Sequence, residues 1–332
     1  MNIIIYPPTI DWGFMKQRPQ QLMQQFADHG YTVFYCNKTS SEEDIQELAP
    51  NLFLVSNHEK FVTKTLPQLR ADSTCNVGVW CSWSKLAKEL IQYKADWIIY
   101  DCVDEFAEWM KYEKEMVQIA SAVTCTAERI YNRLKREYPN KNIELIRNAY
   151  DKNMGLHLHP SSPHPSIKKK IGYIGAWAPW VDDSLVRRLA SKLIDHEIVI
   201  IGAEFGKNFT LKHLPNVTFL GQIPHEQLAS HLSQMDVCII PFKITPVTLA
   251  TNPVKMYEYL ATGKPVISSA LPECVLAQPY VDIGKNHQEF ISKVSYRLSN
   301  PGNENERKSY SLSNTWENRV NQAITLINNI SH

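Results

Sequence analysis

The sequence predicts an α/β protein built from two doubly wound domains in tandem. Three observations carry this reading. The chain has 332 residues, more than one hydrophobic core comfortably serves. Short apolar runs rich in β-branched and aromatic residues alternate with longer amphipathic stretches, and this series occurs twice. A stretch rich in proline, serine and lysine separates the two series.

The first series places strands at Ile3–Tyr6, Thr32–Cys36, Leu52–Val55, Asn76–Trp80, Trp97–Asp101, Ala122–Cys125 and Ile143–Ile146. Helical patterns lie between them at Arg18–Asp28, Lys85–Tyr93, Glu105–Ile119 and Ala127–Tyr138. Strands separated by helix-length segments require right-handed crossovers and a parallel sheet. Residues 151–169 (DKNMGLHLHPSSPHPSIKK) show no helical or strand period and form the expected linker between domain 1–150 and domain 170–310. The second series has strands at Lys170–Ile174, Ile198–Ile201, Val217–Leu220, Asp236–Ile240 and Pro265–Ser268. Its helices are expected at Asp182–Asp195, His225–Gln234, Pro253–Thr262 and His287–Leu298. A last amphipathic helix lies in 311–332, with Trp316, Val320, Ala323, Ile324 and Ile327 on one stripe.

Composition narrows the function classes. Hydrophobic residues make up 44% and charged residues 21%, an ordinary globular balance. With 35 Lys+Arg against 34 Asp+Glu the formal net charge is +1, so no broad field draws nucleic acid. An anionic ligand would need a local site. The seven cysteines are odd in number, lack a C-x-x-C pair and sit mostly in apolar runs such as VFYC and VCII. They read as buried free thiols of a reducing compartment. The four-residue run IIIY after Met1 ends at two prolines, which fits a strand and not a signal peptide. No apolar stretch approaches the length of a membrane span. A cytoplasmic location is expected, with a peripheral contact at the inner membrane face left open. Three linker histidines, His157, His159 and His164, fit a solvated loop better than a metal site.

Neither a G-x-G-x-x-G fingerprint nor a P-loop follows the first strand, where the sequence is PPTIDWGFMKQRP. The informative segment is VCIIPFKITPVTLATNPVKMYEYLATGKPVI. It reads as a buried strand, a loop, a helix opened by Pro253 and closed by Gly263, and a further strand. Ligands of open α/β sheets bind beyond the carboxyl ends of the strands, where the loop 241–252 falls. A helix N-terminus there presents N–H groups and a positive dipole end suited to a diphosphate. Lys255 adds a full charge in the first turn, and Glu258, three residues on, shares its face. A carboxylate at that point can accept hydrogen bonds from two ribose hydroxyls. Taken alone, Lys255 and Glu258 read first as an ordinary ion pair on a helix, and the surrounding sequence reverses that reading.

In the first domain, WIIYDCVDEF puts Asp101 at a strand end and Asp104 just beyond it. Either carboxylate could deprotonate a hydroxyl acceptor. The alternative is that Asp101 caps a turn and Asp104 caps the following helix, with Glu105 in its first turn. Gly13 would let the backbone approach a sugar or phosphate, and Arg18 starts a helix at the same edge.

The stretch DVCIIPFKITPVTLATNPVKMYEYLATGKPVI resembles the donor-binding signature of the GT-B glycosyltransferases. The likeness is to family 4 and to glucuronosyltransferase-like enzymes of bacterial polysaccharide synthesis. PNVTFLGQIPHEQLASHLSQMDV and KIGYIGAWAPWVDDSLVRRLA resemble further parts of that donor domain. WGFMKQRPQQLMQQFADHGYTVFYCN resembles teichuronic-acid-type glycosyltransferases. The resemblance implies a GT-B fold of two doubly wound Rossmann-like domains facing a cleft, with the C-terminal helix returning to the N-terminal domain. It implies transfer of a sugar from a nucleotide-sugar, a UDP-sugar first, to a carbohydrate or lipid-linked hydroxyl acceptor, without metal or cofactor. Carried over residue by residue, Glu258 holds the ribose, Lys255 and Asn252 face the diphosphate or sugar, and Gln222 and Ile223 flank the base. Phe242, Lys243 and Gly175 complete the donor-binding set, with Asp104 and then Asp101 as catalytic candidates. Two departures stand out. Ala250 occupies the place of a second glutamate, and Trp177, Trp180, Asp182 and Asp183 stand where an Arg/Lys pair is usual. Lys255, or Arg18 across the cleft, is then the candidate to balance the diphosphate. Two other readings remain: a sugar-nucleotide epimerase on the same fold, and a non-catalytic nucleotide-sugar-binding partner.

Overall fold

The alternation of apolar runs folds as two parallel sheets in a computed structural model that describes residues 1–43, 45–158 and 168–330. The first unit comprises Met1–Asn148 together with the C-terminal segment from Trp316, and the second comprises Ala149–Thr315. The first sheet holds β1 (Asn2–Tyr6), β2 (Thr32–Cys36), β3 (Gln46–Ala49), β4 (Leu52–Val55), β5 (Asn76–Cys81), β6 (Trp97–Cys102), β7 (Ala122–Cys125) and β8 (Ile143–Leu145). Its order is β3-β4-β2-β1-β5-β6-β7-β8, parallel except for the β3–β4 edge. The second sheet holds β9 (Lys170–Ile174), β10 (Glu197–Ile201), β11 (Val217–Phe219), β12 (Val237–Ile240), β13 (Val266–Ser269) and β14 (Val281–Gly284), in the all-parallel order β11-β10-β9-β12-β13-β14.

Burial explains these assignments. The central strands are enclosed on both faces, so Ile3, Ile4 and Ile5, or Val237 to Ile240, are continuous apolar runs without alternation. Each order reverses direction once, at β1/β5 in the first sheet and at β9/β12 in the second. At such a switch point the loops leave in opposite directions and open a crevice at the carboxyl ends of the strands.

Several expectations need correction. The edge strand β3 and the strand β14 carry no strong apolar signal and were not expected. The stretch 85–93 is two 3₁₀ turns, Ser84–Leu86 and Glu89–Tyr93, not an α-helix. Ser84, Ala87, Leu90 and Tyr93 are the buried positions, and a spacing of three matches the 3₁₀ period. Pro253 is the N-cap of helix Val254–Ala261, not its first residue, because its ψ of 118° is extended. An unexpected helix, Glu304–Leu312, closes the second unit ahead of the expected last helix, Trp316–Ile330. The first is capped by Asn303, whose carbonyl accepts from the N–H groups of Asn305 and Glu306. The expected linker starts inside the second unit: Asp151 caps a 3₁₀ turn, and Leu156 and Tyr150 are buried. Its portion 159–167, with His159 and His164, lies outside the described residues, as do 331–332 of the expected C-terminal segment. His157 pairs its Nδ1 with the Tyr150 hydroxyl at 3.0 Å.

Candidate functional site

The second sheet gathers most of the expected donor-binding residues at its switch point. β9 ends at Ile174, and Gly175 follows with φ of 140°, a conformation that disfavours any side chain. A Cβ at Gly175 would stand 2.5 Å from Nζ of Lys255, so the glycine makes room for that ammonium. On the far side of the switch point β12 ends at Ile240, and Phe242 follows. Lys255 Nζ lies 4.7 Å from the Tyr173 ring centroid and 4.8 Å from that of Phe242, and it bonds the Tyr173 hydroxyl at 3.4 Å. Two aromatic rings therefore hold the cation where, among the described residues, no carboxylate comes within ion-pair distance. Loss of water around Lys255 lowers its pKa to about 8, with Glu258 pulling the other way. Lys255 and Glu258 are thus electrostatic neighbours in the first turns of a helix that no side chain caps.

Three glycines form the rest of this edge. Gly175 donates its N–H to Ile201 at 2.8 Å, and Gly202 donates to the Gly221 carbonyl at 2.7 Å. Gly202 (φ 149°) follows β10 as Gly175 follows β9, and Gly221 (φ 70°) stands two residues past β11. A Cβ on Gly202 would collide with the Gly175 carbonyl oxygen at 2.0 Å. Gly202 was not among the expected residues. A signal for it exists, because β9 and β10 both close on Ile-Gly-Ala. Gln222 is exposed just after Gly221, on the same edge, while Ile223 packs partly against the core. Lys243 is half-buried and donates its N–H to the Trp180 carbonyl at 2.8 Å, zipping the loop after β12 to the loop after β9.

Asn252 has a different part from the one expected. Its amide is buried and donates to Glu273 at 3.1 Å and to the Tyr257 hydroxyl at 3.2 Å. These contacts anchor the loop leading into helix Val254–Ala261. Ala250 is fully buried, so a glutamate there would be enclosed by the protein. Trp177 is a core residue against Phe209, and Asp182 caps helix Asp183–Lys192 while binding His287 at 2.8 Å.

The first unit corrects two further expectations. Asp101 and Arg18 are buried together. Arg18 donates from Nε and Nη2 to the two carboxylate oxygens at 2.8 and 2.9 Å, and Thr124 adds a bond at 2.7 Å. Arg18 also donates to the Arg147 carbonyl and to Asn148. With every polar group engaged inside the unit, Arg18 holds helix Arg18–Asp28 to the sheet instead of meeting a phosphate, and Asp101 is its counter-ion instead of a base. Asp104 is the contrary case. Among the described residues it has no hydrogen bond or ion pair, and burial raises its pKa to about 7, near the working point of a general base. At Gly13 an added Cβ would meet nothing within 4 Å, so the fold itself does not demand a glycine there.

Comparison with known proteins falls in the same place. Residues 168–300 match the family described as glycosyl transferases group 1. The chain is similar in structure to sucrose-phosphate synthase from Thermosynechococcus elongatus, with a TM-score of 0.73 at 16% identity, covering 99% of this chain and 98% of that one. The chain has the GT-B glycosyltransferase fold. A second GT-B structure, HepE of Anabaena in complex with UDP and glucose, gives a TM-score of 0.71 at 11% identity, covering 99% of this chain and all of that one (100%). In sequence, a Bacillus subtilis (strain 168) protein named as a teichuronic acid biosynthesis glycosyltransferase is 24% identical over 243 residues, 64% of this chain. The match spans about three fifths of that relative's length (61%). Among the described residues, no helix of this GT-B chain is long and apolar enough to cross a membrane.

Proposed function

We propose that the chain transfers a glycosyl group from a UDP-sugar to a hydroxyl of a carbohydrate or lipid-linked acceptor, in synthesis of a surface polysaccharide or glycoconjugate in the cytoplasm. The single observation that carries this reading is Lys255, with no carboxylate within ion-pair distance among the described residues, held by two aromatic rings beside Gly175 at the sheet's switch point. That arrangement suits the two negative phosphates of a nucleoside diphosphate, which would bring the missing counter-charge. Glu258 accepts from the ribose hydroxyls in this reading, and Gln222 and Ile223 lie beside the base. Lys255 and the helix N-terminus stabilise the departing diphosphate, so no metal is needed. Asp104 takes the proton of the acceptor hydroxyl if the sugar inverts. If the sugar is retained, the leaving phosphate takes that proton and Asp104 stabilises the developing positive charge. A peripheral contact with the inner membrane face would serve a lipid-linked acceptor. The match to glycosyl transferases group 1 favours a transferase over an epimerase or a non-catalytic partner.

A thermal-shift panel of nucleotide sugars tests the reading, because a ligand that binds only the folded state raises the melting temperature. UDP-sugars should raise it more than GDP-sugars. No shift with any nucleotide sugar would set the reading aside.

A further inference from the structure

β6 and β7 lie side by side in the first sheet with Cys102 opposite Cys125, so the two chains leave the sheet together at Val103 and Thr126. The Thr126 hydroxyl donates to the Val103 carbonyl at 2.9 Å, one step past the last register pair. The chain then runs through Asp104, Glu105 and Phe106 into helix Ala107–Ile119. Glu105 is the next fixed point. Its carboxylate accepts from Arg133 Nε, and Arg129 stands 3.9 Å from its other oxygen. Arg133 belongs to helix Glu128–Glu137, which follows β7, and its guanidinium also donates to both oxygens of Glu113 at 2.6 and 2.7 Å. Glu113 is on the buried face of helix Ala107–Ile119, so one side chain joins that helix, the loop ahead of it and the next helix. The Cys102 thiol donates to Glu113 as well, at 3.7 Å.

From Asp101 to Glu105, every residue but one is thus held by a side chain from another part of the unit. Asp101 has Arg18 and Thr124, Cys102 has Glu113, Val103 has Thr126, and Glu105 has Arg133. Asp104, between the last two, is the exception among the described residues, and it is only partly exposed. The charges of the same segment are each answered: Asp101 by Arg18, Glu105 by Arg133 and Arg129, and Glu108 by Lys85 at 3.8 Å. Stability is a weak account of this arrangement. Arg133 holds three carboxylates, counting Glu137 at 3.0 Å, and in buried ion clusters the lost hydration offsets much of the attraction. A backbone fixed on both sides of a carboxyl is what a reacting group requires, because a small misplacement caused by a residue that touches no substrate lowers turnover strongly.

We infer that Arg133 and Thr126 are positioning residues for the Asp104 carboxyl, fixing the backbone on either side of it so that it stays enclosed and unpaired. The part Asp104 plays in catalysis rests on the transferase reading, but its positioning concerns the first unit alone.

Carbon-13 NMR of the whole protein, labelled at the aspartate carboxyls, separates the two. The Asp104 resonance is assigned by its loss in Asp104→Asn. In the wild type that carboxyl should titrate at about 7. In Thr126→Val and in Arg133→Lys it should titrate lower, toward the ordinary value of about 4, because a loosened loop lets water reach it. Arg133→Lys keeps the charge, but one ammonium cannot span Glu105 and both oxygens of Glu113. Thr126→Ser keeps the hydroxyl and should restore the wild-type titration. Glu137→Gln loosens only the exposed arm of the Arg133 cluster and should leave the titration unmoved. If one of Thr126→Val and Arg133→Lys fails to fold, the other carries the test. Where turnover of a UDP-sugar is measured, Thr126→Val should lower kcat about tenfold or more with little change in the KM for the donor. A lower melting temperature in these variants with the Asp104 titration unmoved would show a merely structural role and overturn the inference. A wild-type titration already at the ordinary value would overturn it too. Absence of turnover, with the titration shifting as stated, would instead count against the transferase reading.

Discussion

Arg18 and Asp101 neutralise each other inside the first unit, so removing either strands a charge away from water. Arg18→Ala should destabilise that unit by about 3–5 kcal/mol, the usual cost of breaking a buried pair, and chemical denaturation would measure it. Arg18→Lys should not restore stability, because one ammonium cannot span both carboxylate oxygens. Asp104 behaves in the opposite way. Its folded pKa is raised, so its cost to stability is absent below the unfolded value of about 4, grows with pH and is complete above about 7. Asp104→Asn should therefore melt higher than wild type at pH 8 and equal to it near pH 4. In an inverting transfer the same change should lower turnover by about 10²–10⁴, and wild-type kcat/KM should rise through pH 7 as the base ionises. Lys255 gives the mirror case. Its folded pKa is lowered to about 8, so holding the ammonium costs stability below pH 8, and the cost fades toward the unfolded value of about 10.4. Lys255→Met should gain melting temperature at pH 7 while losing UDP affinity. Wild-type UDP binding above pH 8 should take up a proton, seen as a buffer-dependent binding heat.

At the level of elements, the donor edge depends on backbone as much as on side chains. Gly175, Gly202 and Gly221 close three adjacent strands with positive φ, and Gly202 touches the Gly175 peptide. Gly202→Ala would push that peptide away from Lys255 and strain φ. It should cost about 1–3 kcal/mol in denaturation and weaken UDP binding in parallel. Buried strands such as β1, β9 and β12 were legible in the sequence because burial on both faces leaves continuous apolar runs. β3 was not, since an exposed antiparallel edge carries little apolar pattern. The 3₁₀ turns at 84–93 looked helical because a spacing of three is close to 3.6 over so short a stretch. Of the expected donor residues, Lys255 and Glu258 were proposed from their spacing and from Gly263 after the helix. Gly175 came from the family likeness. The part of Asn252 depends on Glu273, twenty-one residues away, and no local pattern announces that contact. The Arg18–Asp101 pair spans 83 residues of sequence and is invisible for the same reason.

Across the whole molecule, two sheets with the same winding carry two different chemistries at their switch points. The second presents an ammonium held by two aromatic rings with a carboxylate nearby, and the first presents, one strand past its switch point, a carboxyl whose pKa burial raises. This division of labour matches a transfer between a nucleotide-sugar and a hydroxyl acceptor. Its central claim is that the nucleotide sits at the start of helix Val254–Ala261. Titration calorimetry of UDP against the wild-type protein and Glu258→Ala tests this directly. The wild type should bind, and the variant should lose about tenfold to a hundredfold in affinity, as expected for hydrogen bonds to a charged group. Equal affinity of the two proteins for UDP would contradict the assignment of the donor site.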